Sequence, residues 1–317
     1  MVNVQKNILL KNLTTLEIGG PTQEFAEVTS EDQLKEALQY ARENHLEILL
    51  IGGGSNLLIS DEGFPGLVIK NRITGIETDG EVVKVKGGTP LQDLVNFTIE
   101  KGLAGANKLT GIPGTIGGAV YGNAGAYGQT ISDFIEKVVV LPNLVIASDL
   151  KERGNLVLTK ENCRFSYRDS NFKNTKDIIL EVHFKFPKGN TETLREESAE
   201  TLQKRLLKYK PGIKCPGSFF KNVLMDNLSE EQKKFIPADR DTYGKVPAWF
   251  FLDEVGAKGA KKGRIEIADF HGNLFINTGD GSAKDFYDLA KEYQQKVKQK
   301  FGITLEPEVQ LVNLPPL

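Results

Sequence analysis

Between Gly111 and Gly128 the chain reads Gly-Ile-Pro-Gly-Thr-Ile-Gly-Gly-Ala-Val-Tyr-Gly-Asn-Ala-Gly-Ala-Tyr-Gly. Seven glycines interleaved with small residues and two tyrosines make a poor helix and a poor strand. Long structureless loops are uncommon inside folded domains unless they are functional. A backbone stripped of Cβ atoms can press against a large, flat, anionic ligand; a plain long loop is the other reading. A second glycine cluster lies about sixty residues upstream, in Ile51, Gly52, Gly53, Gly54, Ser55, Asn56, Leu57 and Leu58. It follows the apolar run Ile48–Ile51, which reads as a buried strand. The backbone N–H groups of such a loop can close around a phosphate, with Ser55 and Asn56 adding donors; a tight turn is the alternative. It is not a G-x-G-x-x-G fingerprint, whose third glycine would fall at Leu57, nor a P-loop, since no Gly-Lys-Ser/Thr follows. Two such loops suggest two walls of one extended site, and a dinucleotide has the right shape for it.

The surrounding elements alternate irregularly, so we read an α+β fold. Ser30 and Gln33 form a capping box for a helix to Asn44 with Leu34, Ala37, Leu38 and Ala41 on one face. Thr89 caps a second helix that opens on Pro90 and carries Leu91, Leu94, Val95, Thr98 and Ile99. Strands are expected at Val68–Ile69, Val82–Lys86, Val138–Leu141, Asn155–Leu158 and Ile178–Phe186. In the last, alternation of Val182, Phe184 and Phe186 with Glu181, His183 and Lys185 predicts one wet face. Lys188–Thr193 reads as a linker, followed by a helix at Ser198–Lys208. A final helix is capped by Ser282 and Asp285, carries Phe286, Leu289, Tyr293 and Val297, and stops at Gly302. Ile303–Leu311 then reads as a period-2 strand.

Forty basic and 42 acidic residues nearly balance, which gives no reason to expect nucleic acid, a membrane surface or a polyanion as partner. At 317 residues about two domains are expected, at roughly 150 residues each. Met1–Lys11 does not read as a secretory signal. Two cysteines, Cys163 and Cys215, are too few for a disulfide framework and lack metal-ligand spacing, which fits a reducing cytoplasm. The three histidines are dispersed and read as structural, and no metal is expected.

Six motifs occur in order: Ile51–Leu58; Gly111–Ala119; Asn123–Gly128; Tyr167-Arg168-Asp169-Ser170-x-Phe172-Lys173; Gly217-Ser218-Phe219-Phe220-Lys221-Asn222; and Leu305-Glu306-Pro307-Glu308-Val309. Together they resemble the UDP-N-acetylmuramate dehydrogenase family, also called UDP-N-acetylenolpyruvoylglucosamine reductases, over nearly the whole chain. The resemblance implies an FAD-binding region of the vanillyl-alcohol-oxidase (PCMH) type over residues 12–188, in two subdomains of about 12–70 and 71–188. A smaller α+β substrate-binding domain at 198–311 follows, its last strand returning to the active site. It also implies noncovalent FAD, NADPH as hydride source, and a monomeric enzyme reducing a UDP-linked enolpyruvyl ether for peptidoglycan precursor synthesis. Cofactor contacts would come from Gly52, Gly53, Gly54, Ser55, Asn56, Leu57, Gly111, Pro113, Gly114, Thr115, Gly117, Gly118, Asn123, Gly125 and Ala126.

The implied reaction delivers hydride from flavin N5 to the methylene carbon, leaving a carbanion conjugated to a carboxylate. It needs charge stabilisation at the carboxylate and a proton donor at the carbanion. Arg168 matches the family's arginine and offers a guanidinium fork; a surface turn arginine paired with Asp169 is the other reading. Ser218 matches the family's proton donor, an assignment that leans on the resemblance, since a loop serine or helix cap is the usual fate of such a residue. Glu308 matches the third member, where a carboxylic acid can hydrogen-bond the substrate carboxylate; periodicity alone gives a solvated strand face. Tyr167, Lys208, Lys221 and Asn222 are the substrate-binding candidates.

Val223, Cys215-Pro216 and Gln310 depart from common family residues at the edges of the sites and bear on substrate affinity. The short span between Phe186 and Lys208 resembles the family branch without the extra tyrosine-bearing substrate loop, whereas the wording of Tyr167–Ser170 and Ser218–Asn222 resembles the looped branch. A flavin-dependent alcohol or sugar oxidase would keep the glycine walls without needing Arg168, Ser218 and Glu308 together. A flavin or nucleotide-sugar binding module would be free to lose all three.

Overall fold

A computed structural model describes residues 2–143 and 154–317. The chain divides into two units, one of Met1–Asn7, Gln23–Gly53 and Pro65–Leu207, the other of Ile8–Thr22, Gly54–Phe64 and Lys208–Leu317.

The first unit carries two sheets. In one, the strands run Val4–Lys6, Thr22–Val28, Phe64–Asn71 and Glu47–Ile51. The last two pair in parallel, Ile48 opposite Leu67. Leu34, Ala37, Leu38 and Ala41 of the Glu31–Glu43 helix are buried with Ala26, Val28, Leu67 and Ile69 of this sheet, each leucine contributing about 1.5–3 kcal/mol by leaving water. The apolar run before the first glycine cluster is less buried than expected. Only Ile51 is fully covered, because Ile48, Leu49 and Leu50 belong to the end strand of the sheet. The capping pattern also shifts by one residue. Ser30 accepts the Gln33 N–H, but the Gln33 amide oxygen reaches the N–H and hydroxyl of Thr29 rather than Ser30.

The second sheet is antiparallel, in the order Leu156–Thr159, Ile135–Leu141, Ile178–Lys185, Val82–Lys86 and Ile76–Asp79. The Leu91–Glu100 helix packs its predicted stripe into the same core as Val83, Val85, Val182 and Phe184. Thr89 does not cap it. The helix begins after Pro90, and the Thr89 hydroxyl exchanges hydrogen bonds with the N–H and C=O of Gly75. The face expected to be wet on Ile178–Lys185 is partly closed: His183 is buried with Nε2 2.6 Å from Glu181 Oε1, and Lys86 pairs with the same carboxylate at 3.0 Å. The expected linker at 188–193 instead leads directly into the Thr191–Lys208 helix, with the Asn190 side chain accepting from the N–H groups of Glu192 and Thr193.

In the second unit, Leu57–Ile59 pairs in parallel with Gln310–Val312. A three-stranded antiparallel sheet is built from Lys261–Lys262, Ile265–Ile267 and Phe275–Asn277. Val223–Leu224 pairs with Lys245–Val246. The Ala283–Phe301 helix starts where Ser282 accepts the Asp285 N–H and ends at Gly302. Its Phe286, Leu289 and Val297 enter a core with Leu16, Leu58, Phe219, Phe220, Phe251 and Phe275. Asp61 accepts the N–H groups of Ala283 and Lys284 at 2.8 and 3.0 Å, pinning the helix start to the Gly54–Phe64 segment. The expected Ile303–Leu311 strand reduces to Gln310–Val312. Ile303, Leu305 and Val309 are still buried, but the Leu305–Val309 backbone spends its hydrogen bonds on other segments: Glu306 C=O accepts from Lys221 and Glu308 N–H donates to Phe219. No helix among the described residues is long and apolar enough to cross a membrane.

Candidate active site

In the first unit the two glycine clusters meet. A Cβ on Gly52 would overlap the Thr115 hydroxyl, and one on Gly53 would lie 2.7 Å from the Gly114 Cα, closer than real Cβ atoms approach backbone. The glycines let two main chains touch. Within the stretch expected to be irregular, Ile116–Tyr121 forms a short helix whose cap, Thr115, accepts the Gly118 N–H at 3.4 Å. Gly117 N–H is held by Gly87 C=O at 2.8 Å, while Gly118 is exposed. Upstream, Gly111 N–H donates to the Gln92 side chain, and Pro113 stands exposed. Downstream, Gly125 and Ala126 pair with Thr130 and Gln129.

Asn123 is buried in the left-handed region at φ 44, its Nδ2 donating to Ser166 C=O at 2.8 Å. Its Oδ1 is buried with no hydrogen-bond partner. Such an oxygen costs about 1–3 kcal/mol unless something completes it. A cradle that tolerates no Cβ, with an acceptor left for a ligand N–H or O–H, fits a flavin.

The same loop holds Arg168. Its Nη2 donates to Gly125 C=O at 2.7 Å and its Nη1 to Asn123 C=O at 3.4 Å, and its backbone sits at φ 54. The Tyr167 ring lies 5.6 Å from the guanidinium carbon. Asp169, the alternative partner, is paired with Lys173 at 3.4 Å, and the Lys173 ammonium also donates to Arg168 C=O at 2.6 Å. Ser170 is buried and donates to Tyr121 C=O at 2.7 Å. The turn bearing the arginine is thus pinned onto the glycine loop from both sides.

In the second unit, Lys208 ends the Thr191–Lys208 helix and donates to Ser218 Oγ at 2.9 Å. The hydroxyl of Tyr209 lies 3.3 Å from the same oxygen. Gly217, at φ 90, turns the chain into Ser218 through a conformation that side chains rarely adopt. The segment after Ser218 is clamped by the buried Asn273, which accepts the Phe220 N–H at Oδ1 (2.9 Å), donates Nδ2 to Phe220 C=O (2.8 Å), and accepts the Phe219 N–H at its own carbonyl (3.1 Å). Glu308 joins this segment through its N–H to Phe219 C=O at 2.7 Å, and its own carbonyl accepts from Asn56 Nδ2 at 3.1 Å. Gln310 N–H donates to Asn56 C=O, so Asn56 and Leu57 border the segment from Glu308 to Val312. Gly54 C=O accepts from Thr15, and Ser55 is half-buried beside it.

Lys221 pairs with Glu306 at 3.2 Å, and the Asn222 side chain accepts the Ala248 N–H at 3.2 Å. Burial raises the Cys215 thiol, and burial followed by the nearby charge of Glu161 lifts Cys163 to about 11; both are free thiols. His271 accepts the Asn273 N–H at Nδ1, and burial with the positive charge of Lys208 pushes it down to about 3.

The structure therefore groups Arg168 with Tyr167, Asn123 and Gly125 in the first unit, and Ser218 with Lys208, next to the Glu308 backbone, in the second. Sequence reasoning missed Tyr209 and Asn273. Tyr209 adjoins Lys208 and could have been noticed; nothing local marks Asn273.

A model described as an FAD binding domain matches residues 22–146, and one described as the UDP-N-acetylenolpyruvoylglucosamine reductase C-terminal domain matches 209–312. A UDP-N-acetylenolpyruvoylglucosamine reductase of Solibacter usitatus is 39% identical over 95% of this chain and 94% of its own length. That of Carboxydothermus hydrogenoformans is 34% identical over 98% and 94%. The crystal structure of the Thermus caldophilus reductase superposes with a TM-score of 0.75 at 30% identity, covering 98% of this chain and all of that one. With both regions matched in order and the likeness running along the full length, this chain belongs to the UDP-N-acetylenolpyruvoylglucosamine reductase family.

Proposed function

We propose a division of labour among these residues for an FAD-dependent reductase that converts UDP-N-acetylglucosamine enolpyruvate into UDP-N-acetylmuramate with NADPH as electron source. The cradle of Gly52, Gly53, Gly114 and Thr115, with the Asn123 Oδ1 acceptor, would hold the flavin. When bound, FAD supplies the two-electron chemistry that carries reducing equivalents from NADPH to the enol ether.

Arg168 presents the rest of its planar fork to the substrate carboxylate, two of its nitrogens being anchored on loop carbonyls. A fixed cation there favours the charge that grows as the adjacent carbon becomes carbanionic, and costs no reorganisation at that moment. Glu308, tied beside Ser218 through its N–H to Phe219 C=O, supplies a further polar contact to the substrate. Ser218 delivers the proton to the carbanion carbon. Asn222 and Lys221 serve the diphosphate, with Lys221 first exchanging its partner Glu306, while Lys208 binds substrate from its place on Ser218. The reading extends to a monomeric enzyme of the cytoplasm.

The observation that carries this reading is the 2.9 Å hydrogen bond from Lys208 to Ser218 Oγ. An ammonium donating to a serine oxygen stabilises the alkoxide left by proton transfer, and so makes a weak acid a usable one. Ser218→Ala should leave flavin bleaching by NADPH near the wild-type rate and slow recovery on adding substrate by about 10²-fold or more. Equal loss of both half-reactions would count against proton donation.

A further inference from the structure

We propose that Tyr209 reloads Ser218 with a proton after each turnover. This rests on the proton-donor reading of Ser218 above. The Tyr209 hydroxyl lies 3.3 Å from Ser218 Oγ, and Lys208 donates to that oxygen at 2.9 Å. Either hydroxyl of the Tyr209–Ser218 pair can be the donor; in the arrangement where the phenol donates beside the ammonium, the serine lone pairs are taken and its own hydrogen is left to point at a reacting atom. Hydrogen bonds of this kind are often long before substrate arrives.

In the step itself, the Ser218 O–H bond breaks as a C–H bond forms at the carbanion carbon, leaving an alkoxide. The Tyr209 O–H bond then breaks as the Ser218 O–H re-forms, and the phenolate takes its proton from solvent. A phenol is a much stronger acid than an aliphatic alcohol, so this transfer runs downhill. The Lys208 nitrogen lies 5.0 Å from the centre of the Tyr209 ring, a contact that keeps ammonium, phenol and serine hydroxyl together. Tyr209 is half-buried and is followed at once by the exposed Lys210, Pro211 and Gly212, which gives the ring a route to water. His271 and Cys215 also lie under the charge of Lys208, and burial holds the imidazole and the thiol in their neutral forms.

Tyr209 acts through Ser218, and the test separates that role from mere packing. Tyr209→Phe, wild type and Ser218→Ala would be reduced with NADPH, mixed anaerobically with UDP-N-acetylglucosamine enolpyruvate, and followed by flavin absorbance and product. For Tyr209→Phe we expect normal reduction, a first reoxidation near the wild-type rate, and then steady-state turnover slowed about tenfold or more. Product should appear as a burst of one equivalent per enzyme, and added imidazole buffer should restore turnover. Steady-state turnover within about twofold of wild type, or a first reoxidation slowed as much as later ones, would overturn the proposal. A normal first reoxidation in Ser218→Ala would overturn the reading of Ser218 itself, and so tells the two failures apart.

Discussion

Replacing Arg168 with lysine tests whether the fork, rather than the charge, serves the reaction. Two of the guanidinium nitrogens donate to Gly125 and Asn123 carbonyls at 2.7 and 3.4 Å, which fixes the plane and direction of the whole fork. An ammonium has three donors around one nitrogen and cannot span both tasks. It must leave the carbonyls or leave the substrate. Losing one charge-assisted bond that strengthens in the transition state costs about 2–3 kcal/mol, or about 30- to 160-fold in rate. The substitution leaves the left-handed φ of 54 unchanged in cost, since neither residue favours it. Stopped-flow spectroscopy of the two half-reactions gives the answer. Reduction by NADPH should stay within about twofold, while reoxidation by substrate falls by the calculated factor. Reoxidation within about threefold of wild type would refute the fork, and a matching fall in both half-reactions would place Arg168 in the flavin wall instead.

Two further outcomes follow from the geometry. Gly53→Ala sets a Cβ 2.7 Å from the Gly114 Cα and must push the glycine loops apart, so the purified protein should lose its yellow colour and bind added FAD at least about tenfold more weakly, as read by flavin fluorescence; full retention would show that the cradle lies elsewhere. His271 has its pKa lowered from 6.5 to about 3 on folding, so between those values the unfolded chain takes up a proton that the native one refuses, and stability is lost as pH falls through this window. His271→Gln should flatten the decline of thermal midpoint from pH 6.5 towards 3, and parallel curves for the two proteins would discount the residue.

Amphipathic helices were the most legible part of the sequence. Leu34, Ala37, Leu38 and Ala41, or Phe286, Leu289 and Val297, share a face at helical spacing, and that face is buried. Hydrogen-bond partners were less legible, because a side chain chooses among neighbours that only the folded backbone brings near. Gln33 prefers Thr29 to Ser30, and Thr89 turns away from its helix to Gly75 across a loop. The Ile116–Tyr121 helix defeats its own glycines because Thr89 and Gly87 carbonyls hold the N–H groups of Ile116 and Gly117. For the candidate site, the motifs pointed to Arg168 and Ser218, but the groups that hold them come from elsewhere. Asn273, which grips the backbone at Phe219 and Phe220, follows Ser218 by more than fifty residues.

The parallel pairing of Leu57–Ile59 with Gln310–Val312 sets a timetable for synthesis. Asn313 bonds Gly63 across 250 residues of chain, and Asn56 bonds Glu308 across 252. At roughly 5–20 residues per second, a ribosome leaves the Gly54–Phe64 segment without its last-strand partner for about 12–50 s. Until Phe219 and the later phenylalanines emerge, Leu16 and Leu58 lack the core that finally seals them. Chaperone dependence of the nascent chain should therefore trace to the stretches around these two leucines, and end when the last strand emerges.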